Sequence, residues 1–205
     1  MMNHYPISKN NPLVLASISP RRKAILIQLG IPFEPVGSMT DETVCRQMKV
    51  ADFACQVATR KAESVKKVYR NRWILSADTL VAVNKRVFGK PKDAHECHAM
   101  LAQLSGKSHS VITGFCVIDP AGNKVHLEAV ITKVMVKELR EVEIEGYIKT
   151  GEPFGKAGAY AIQGIGSFMV ERISGSYTNV VGLPVCQVVR ALIKCGALRR
   201  FPLIE

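Results

Sequence analysis

Apolar and polar positions follow two different periods along the chain, and their alternation predicts a mixed α/β protein. Short apolar runs have the length of buried strands, and the segments between them place apolar residues at helical spacing. The strand-like runs are 13–16, 31–36, 73–77, 80–83, 86–88, 109–118, 125–136 and 168–173. The helical segments are 20–29, 50–69, 93–105, 141–149 and 184–194. No repeat or linker interrupts this pattern, so we expect a flexible N-terminal tail over residues 1–11 and a single α/β domain over 12–205.

The first predicted strand leads into a helix through a turn rich in serine and arginine. Ser19 is a good N-cap, and Pro20 suits the first helical position because its missing N–H is not needed there. Free backbone N–H groups at the helix start, the hydroxyls of Ser17 and Ser19, and the guanidinium groups of Arg21 and Arg22 together predict an anion site. The alternative is an ordinary capped helix with two solvated arginines.

Two charged residues fall among apolar positions. Lys61 lies within the apolar stripe of the second helix, so it must reach solvent, pair with an acid or line a cavity that holds an anion. Asp78 separates two strand-like runs, where an unpaired carboxylate is costly. Its position indicates that Asp78 binds a metal ion, pairs with another cation or takes part in catalysis. A structural aspartate that binds nearby backbone is the alternative. The stripe around Lys61 consists of Val50, Ala54, Val57, Val65 and Val68.

Composition narrows the class of partner. The 28 basic and 17 acidic residues among 205 give a net charge of +11, which favours an anionic partner. The basic residues are spread along the chain, and aromatic residues are only 6% of it, so no stacking platform for nucleic-acid bases is indicated. No apolar run approaches a membrane span, and the polar N-terminus does not resemble a secretory signal.

The cysteines and histidines do not predict a metal centre or disulfides. The six cysteines form no CxxC pair, which favours buried thiols in a reducing compartment and hence the cytoplasm. His95, Cys97 and His98 point in different directions from one helix, so their spacing does not suit zinc.

Several motifs in this order resemble the Maf-like family of nucleoside triphosphate pyrophosphatases. The resemblance covers about residues 12–198. It rests on the motifs at 17–22, 76–79, 89–91, 105–106, 109, 113–114, 151–164 and 179–184. It implies an α/β fold of the inosine-triphosphate-pyrophosphatase type, with an elongated mixed sheet, flanking helices and two lobes around a nucleotide cleft.

The resemblance also implies the chemistry and the residues that perform it. Such enzymes hydrolyse a nucleoside triphosphate to the monophosphate and pyrophosphate with a divalent cation, Mg²⁺ or Mn²⁺. Asp78 matches the catalytic proton acceptor, and Glu42 matches the acidic position that could share the metal. The expected catalytic residues are Asp78, Glu42, Lys61 and Lys90, and the expected phosphate-binding residues are Ser17, Ser19, Arg22 and Lys156.

Three positions favour the branch of the family that acts on dTTP and UTP. These are Arg21, Thr79 and Gln163, which we expect to select the nucleobase. Gly155 departs from the family, in which Asp usually precedes the lysine found here as Lys156. This departure concerns how Lys156 is held and leaves Asp78 unaffected.

Two alternative functions stay open from the sequence. One is a pyrophosphatase of the 7-methyl-GTP branch, and the other is a nucleic-acid-binding regulatory protein linked to septum formation. The second is disfavoured because the chain has no basic cluster or nucleic-acid motif. Family members are commonly homodimers, so a homodimer is an expected partner beside the nucleotide substrate.

Overall fold

A computed structural model describes residues 5–38, 48–84 and 86–203 of the chain. The strands are β1 Leu13–Leu15, β2 Phe33–Pro35, β3 Ile74–Val83, β4 Arg86–Phe88, β5 Ser108–Ile118, β6 Lys124–Val136 and β7 Val170–Ser174. The helices are α1 Pro20–Gln28, α2 Val50–Lys66, α3 Ala94–Leu104, α4 Glu141–Lys149, α5 Tyr177–Val181 and α6 Val185–Lys194. Short 3₁₀ helices span Ala157–Ala159 and Ile165–Met169.

The strands form one mixed seven-stranded sheet in the order β2-β1-β3-β5-β6-β7, with β4 paired to β3. Strand β1 is parallel to both β2 and β3, whereas β4 is antiparallel to β3 and β7 is antiparallel to β6. The turn between β5 and β6 is closed by Asp119, whose N–H donates to the carbonyl of Asn123 at 2.9 Å. The predicted mixed sheet with flanking helices is therefore confirmed.

The chain divides into two compact units. Unit 1 takes the described residues of Met1–Asp78, Thr113–Val130 and Gly182–Glu205, and unit 2 takes those of Thr79–Ile112 and Ile131–Val181. In unit 1, helix α2 packs its small side chains on the sheet. Gly114 of β5 permits this packing, because a Cβ there would lie 2.4 Å from the backbone carbon of Ala54. The buried cluster consists of Val14, Ala16, Ala58, Ala62, Val65, Ile74, Cys116 and Ile118.

Unit 2 has its own apolar core, built from its parts of β3, β5 and β6, from β4, α3 and α4, and from the segment after α4. Helix α3 begins with a side-chain cap, since Asp93 Oδ1 accepts from the N–H of Glu96 at 2.7 Å. This confirms the predicted cap. The largest members of the core are Phe88, Leu101, Leu104, Ile144, Tyr147 and Tyr160.

Some predicted boundaries are wrong for local reasons. Residues 73–77 and 80–83 are not two strands, because β3 continues through Asp78 and Thr79. Helix α2 ends at Lys66, which leaves Val68 outside the apolar stripe and 78% exposed. Phe168 belongs to a 3₁₀ helix, and strand β7 begins only at Val170. Helix α5 has no counterpart in the predicted pattern.

The predicted division into a tail and a single domain stays a prediction. Within the predicted tail, Ile7 is buried, and its N–H donates to the carbonyl of Ala197 at 2.8 Å. Among the helices described here, none is long and apolar enough to cross a membrane.

Candidate active site

A buried ion pair joins helix α2 to strand β3 in unit 1. Lys61 Nζ lies 2.6 Å from Asp78 Oδ1, and about a tenth of each side chain remains exposed. Close by, the hydroxyl of Ser76 donates to the carbonyl of Ala58 at 2.6 Å, which fixes the same helix to the same strand. The pair is therefore held by two regular elements and not by a loop.

This geometry selects one of the alternatives for Lys61. Lys61 pairs with an acid, and that acid is Asp78. Asp78 is the other charged residue that the sequence places among apolar positions. Removing one partner of a buried pair leaves the other charge in a poorly solvating environment, so each residue stabilises the position of the other. The arrangement presents one carboxylate, with Oδ1 engaged by an ammonium group, at a partly solvent-accessible position.

The described residues contain no group of three or more His, Cys, Asp or Glu side chains that could hold a metal ion. The predicted metal partner Glu42 lies outside the described residues. A single carboxylate still fits Mg²⁺, which typically binds one or two protein carboxylates and takes its other ligands from substrate phosphates and water. Asp78 therefore suits a metal that is shared with a triphosphate.

The turn before α1 and the first turn of that helix bring together three of the predicted phosphate ligands, Ser17, Ser19 and Arg22. Ser17 Oγ accepts from Arg22 Nη1 at 3.1 Å and from the N–H of Ser19 at 3.3 Å. Arg22 Nε donates to the carbonyl of Gly182 at 2.8 Å, so the guanidinium group is fixed at two sides. Pro20 begins the helix and Ser19 occupies the N-cap position, both as predicted, although the Ser19 side chain makes no capping hydrogen bond.

In unit 2, a main-chain hydrogen bond joins the segments that carry Lys90 and Lys156, the two other lysines predicted for the site. The N–H of Gly158 donates to the carbonyl of Gly89 at 3.0 Å, next to the exposed Lys90. Lys156 Nζ donates to the main-chain carbonyl of Glu152. Gly155 adopts a φ of +73°, a conformation that most residues avoid but that Asp tolerates better than most.

The three residues predicted to select the nucleobase lie in different parts of the secondary structure. Arg21 is half-buried in the first turn of α1, Thr79 is half-buried on β3, and Gln163 is exposed just before the turn at Gly164. Whether they form one pocket stays a prediction.

A buried histidine lies in unit 2 near the Lys156 segment. His109 Nε2 and the hydroxyl of Tyr160 are 2.7 Å apart, and the rings meet edge to face. Burial, together with the charge of Lys133, lowers the pKa of His109 to about 4. His109 is therefore neutral at physiological pH.

Two residues that hold predicted site residues in place, Gly182 and Glu152, were not predicted from the sequence. The carbonyl of Gly182 orients Arg22 from 160 positions away, a distance at which pattern gives no signal. Glu152 lies in the motif at 151–164, but the sequence assigns it no role of its own. Its flanking Gly151 and Pro153 mark a sharp turn, which was the available hint that a carboxylate there serves the loop.

Comparison with known proteins shows the family to which the chain belongs. The family model described as "Maf-like protein" matches residues 12–195. A dTTP/UTP pyrophosphatase from Syntrophotalea carbinolica is 45% identical over 201 residues, covering 97% of this chain and 91% of the relative. Another from Geotalea uraniireducens is 47% identical and covers 93% of this chain and 98% of the relative.

One further relative and one solved structure are also similar to this chain. A dTTP/UTP pyrophosphatase from Halalkalibacterium halodurans is 44% identical over 93% of this chain and 99% of the relative. The crystal structure of a nucleoside-triphosphatase, named dITP/XTP pyrophosphatase, from Mycobacterium abscessus is 16% identical with a TM-score of 0.44, covering 94% of this chain and 98% of that chain.

The seven-stranded mixed sheet and its flanking helices define an α/β protein, whose unit 1 contains the buried Lys61–Asp78 pair and the turn before α1. The chain belongs to the Maf-like family, which confirms the resemblance found in the sequence.

Proposed function

We propose that the protein is a nucleoside triphosphate pyrophosphatase that hydrolyses dTTP and UTP to the monophosphate and pyrophosphate. Water attacks the α-phosphorus, the bond to the bridging oxygen of the β-phosphate breaks, and pyrophosphate leaves. The observation that carries the proposal is the buried carboxylate of Asp78, held by Lys61, in a chain whose relatives bear that name.

Asp78 accepts the proton of the attacking water in this proposal. Its neighbour Lys61 fixes the carboxylate by the 2.6 Å contact and supplies positive charge near the phosphates. Arg22, oriented by Ser17 and Gly182, donates to phosphate oxygens, and Ser17 and Ser19 add donors at the helix start. Lys90 and Lys156 contribute further cationic contacts to the triphosphate.

A divalent cation, Mg²⁺ or Mn²⁺, completes the proposal. Asp78 would hold it together with Glu42 and oxygens of the substrate, in keeping with the preference of these ions for oxygen ligands. When bound, the cation neutralises charge on the phosphate oxygens during the reaction.

Arg21, Thr79 and Gln163 select the base. Thymine and uracil present carbonyl acceptors beside an N–H donor. A glutamine amide can donate to the carbonyl and accept from that N–H, whereas an arginine only donates. Cytosine reverses the pattern at two positions, and a polar mismatch of this kind can discriminate by roughly 10⁴-fold. The missing methyl of uracil matters far less, so dTTP and UTP should both be substrates.

The test compares turnover of dTTP, UTP, dCTP and 7-methyl-GTP with Mg²⁺ or Mn²⁺, with separate detection of pyrophosphate and orthophosphate. We expect pyrophosphate and monophosphate from dTTP and UTP at similar kcat/KM, with dCTP far slower. Preferred turnover of 7-methyl-GTP would replace this proposal with the purine branch. Salt-sensitive binding of nucleic acid without turnover would replace it with a regulatory role.

The proposed setting is the cytoplasm. All five cysteines in the described part of the chain are free thiols, as expected in a reducing compartment. We also propose a homodimer, which light scattering during size-exclusion chromatography would test against the 22.5 kDa chain mass.

A further inference from the structure

The carboxylate of Glu152 binds three donors immediately after helix α4. Its Oε1 accepts from the hydroxyl of Tyr147 at 3.0 Å and from the N–H of Gly166 at 2.8 Å. Its Oε2 accepts from the N–H of Ile165 at 2.9 Å. Both oxygens are thus used, and two of the three donors belong to consecutive residues of one turn.

The turn held by this carboxylate directly follows Gln163. Gly164 adopts a φ of +77°, and a Cβ there would lie 2.6 Å from Glu152 Oε2. Glycine at this position therefore allows both the backbone conformation and the close approach of the carboxylate. The hydroxyl of Ser167 closes the turn by donating to the carbonyl of Gly164 at 2.7 Å.

The burial of Tyr147 and the lowered pKa of Glu152 both strengthen this anchor. Tyr147 is 2% exposed and contacts the ring of Phe168 edge to face. Burial works against ionisation of Glu152. The N–H groups of Gly166 and Ile165, the Tyr147 hydroxyl and the charge of Lys156 nevertheless hold the pKa of Glu152 below its ordinary value. Hydrogen bonds to an ionised acceptor are stronger than neutral ones, so the turn is firmly fixed.

We propose that Glu152 is a positioning residue for nucleobase selection, because its carboxylate fixes the turn at Gly164–Gly166 and thereby the direction of Gln163. This inference rests on the proposed function, in which Gln163 reads the base. The main-chain carbonyl of Glu152 also accepts a hydrogen bond from Nζ of Lys156, a proposed phosphate ligand. Substitution of the Glu152 side chain leaves this carbonyl in place.

The decisive variant is Glu152→Gln, which keeps the size of the side chain. One carboxylate oxygen becomes an amide group that can only donate, and it then faces N–H donors. We expect the ratio of kcat/KM for UTP to that for dCTP to fall by about tenfold or more, the range for losing a charged hydrogen bond. Glu145→Gln, at an exposed position of α4, is the matched control and should keep the wild-type ratio.

A double-variant comparison separates positioning from general weakening of the fold. If Glu152 acts through Gln163, then Glu152→Gln should leave the UTP/dCTP ratio unchanged in a Gln163→Ala background. An undiminished UTP/dCTP ratio in the single Glu152→Gln variant would overturn the inference, as would an equal further fall in the Gln163→Ala background. Should Glu152→Gln fail to fold, Tyr147→Phe removes one of the three donors. It should lower the ratio by a smaller factor, and an unchanged ratio would again overturn the inference.

Amide hydrogen exchange gives a readout that does not depend on turnover. We expect the N–H groups of Ile165 and Gly166 to exchange faster in Glu152→Gln than in the wild type, and unchanged rates would contradict the proposed anchor. Wild-type protein that hydrolyses no pyrimidine triphosphate would contradict the proposed function instead. The exchange rates would then still decide whether Glu152 holds the turn.

Discussion

The Lys61–Asp78 pair in unit 1 and the Glu152 anchor in unit 2 both use a carboxylate, but in different ways. The Asp78 carboxylate sits on a strand and meets an ammonium group from a helix, so the charged groups themselves are the proposed machinery. The Glu152 carboxylate meets backbone N–H groups and holds a loop whose exposed neighbour, Gln163, makes the proposed contact. In the proposed function, bond cleavage therefore relies on groups held by regular elements. The contact that Gln163 makes to the base relies instead on a loop held by one side chain, that of Glu152.

Replacing the first carboxylate should have the largest effect. Asp78→Asn keeps the shape of the side chain but removes the proposed proton acceptor, and loss of such a group costs on the order of 10²–10⁴ in rate. Steady-state turnover of UTP measures this. Near-normal turnover by a folded Asp78→Asn protein would show that the pair is structural.

Removing the lysine tests the burial of the pair. Lys61→Met leaves the Asp78 carboxylate buried without its 2.6 Å partner, which should lower the free energy of unfolding by about 3–5 kcal/mol. Urea unfolding measures the change. The double variant Lys61→Met/Asp78→Asn should recover most of the stability but no activity.

Lys66→Met on the same helix is the matched control for this experiment. Lys66 pairs with Glu63 at the surface, and such pairs contribute about 0–1 kcal/mol. Equal losses in Lys61→Met and Lys66→Met would mean that the Lys61–Asp78 pair is not a buried interaction in solution.

Acid should weaken unit 2 through His109. Its folded-state pKa of about 4 lies below the ordinary value of 6.5, so the unfolded chain binds more protons between these values. The stability that His109 contributes is therefore present above pH 6.5 and lost as pH falls toward 4, by roughly 2–3 kcal/mol. Urea midpoints of the wild type should fall over this range more than those of His109→Gln. The exposed His95→Gln should behave as the wild type does, and an identical pH dependence in His109→Gln would contradict the assignment.

Two glycine substitutions compare the backbone packing of the two units. Gly114→Ala places a Cβ 2.4 Å from the backbone of Ala54 on the helix that carries Lys61, and such overpacking costs typically about 1–3 kcal/mol. Gly146→Ala on α4 meets no atom within 4 Å and should add up to about 1 kcal/mol through helix propensity. Thermal unfolding distinguishes them, and equal shifts would contradict the close approach at Gly114.

The sequence predicted local features well because their causes are local. Pro20 begins α1, Asp93 caps α3, and the turn at 119–123 joins β5 to β6. The apolar pattern also marked Lys61 and Asp78 as unusual, although it could not pair them, because the pairing depends on how α2 lies on β3.

Contacts between distant segments account for the rest. The aspartate led to two predicted strands, because the pattern did not show that Asp78 is the acid that pairs with Lys61, which allows β3 to continue through it. The role of Glu152 was equally hidden. Its donors are a tyrosine hydroxyl and two main-chain N–H groups 13 and 14 positions later, and backbone groups have no signature in composition.

Measuring rate and selectivity in the same variants tests the separation of the two regions most directly. The design is kcat/KM for UTP, dTTP and dCTP in the wild type, Asp78→Asn and Gln163→Ala. Asp78→Asn should slow all three nucleotides by one common factor and leave their ratios intact. Gln163→Ala should bring the kcat/KM values for UTP and dCTP closer together, because uracil loses the side chain that matches its carbonyl and N–H. A changed ratio in Asp78→Asn, or an unchanged ratio in Gln163→Ala, would contradict the assignment of cleavage to the first region and base selection to the second.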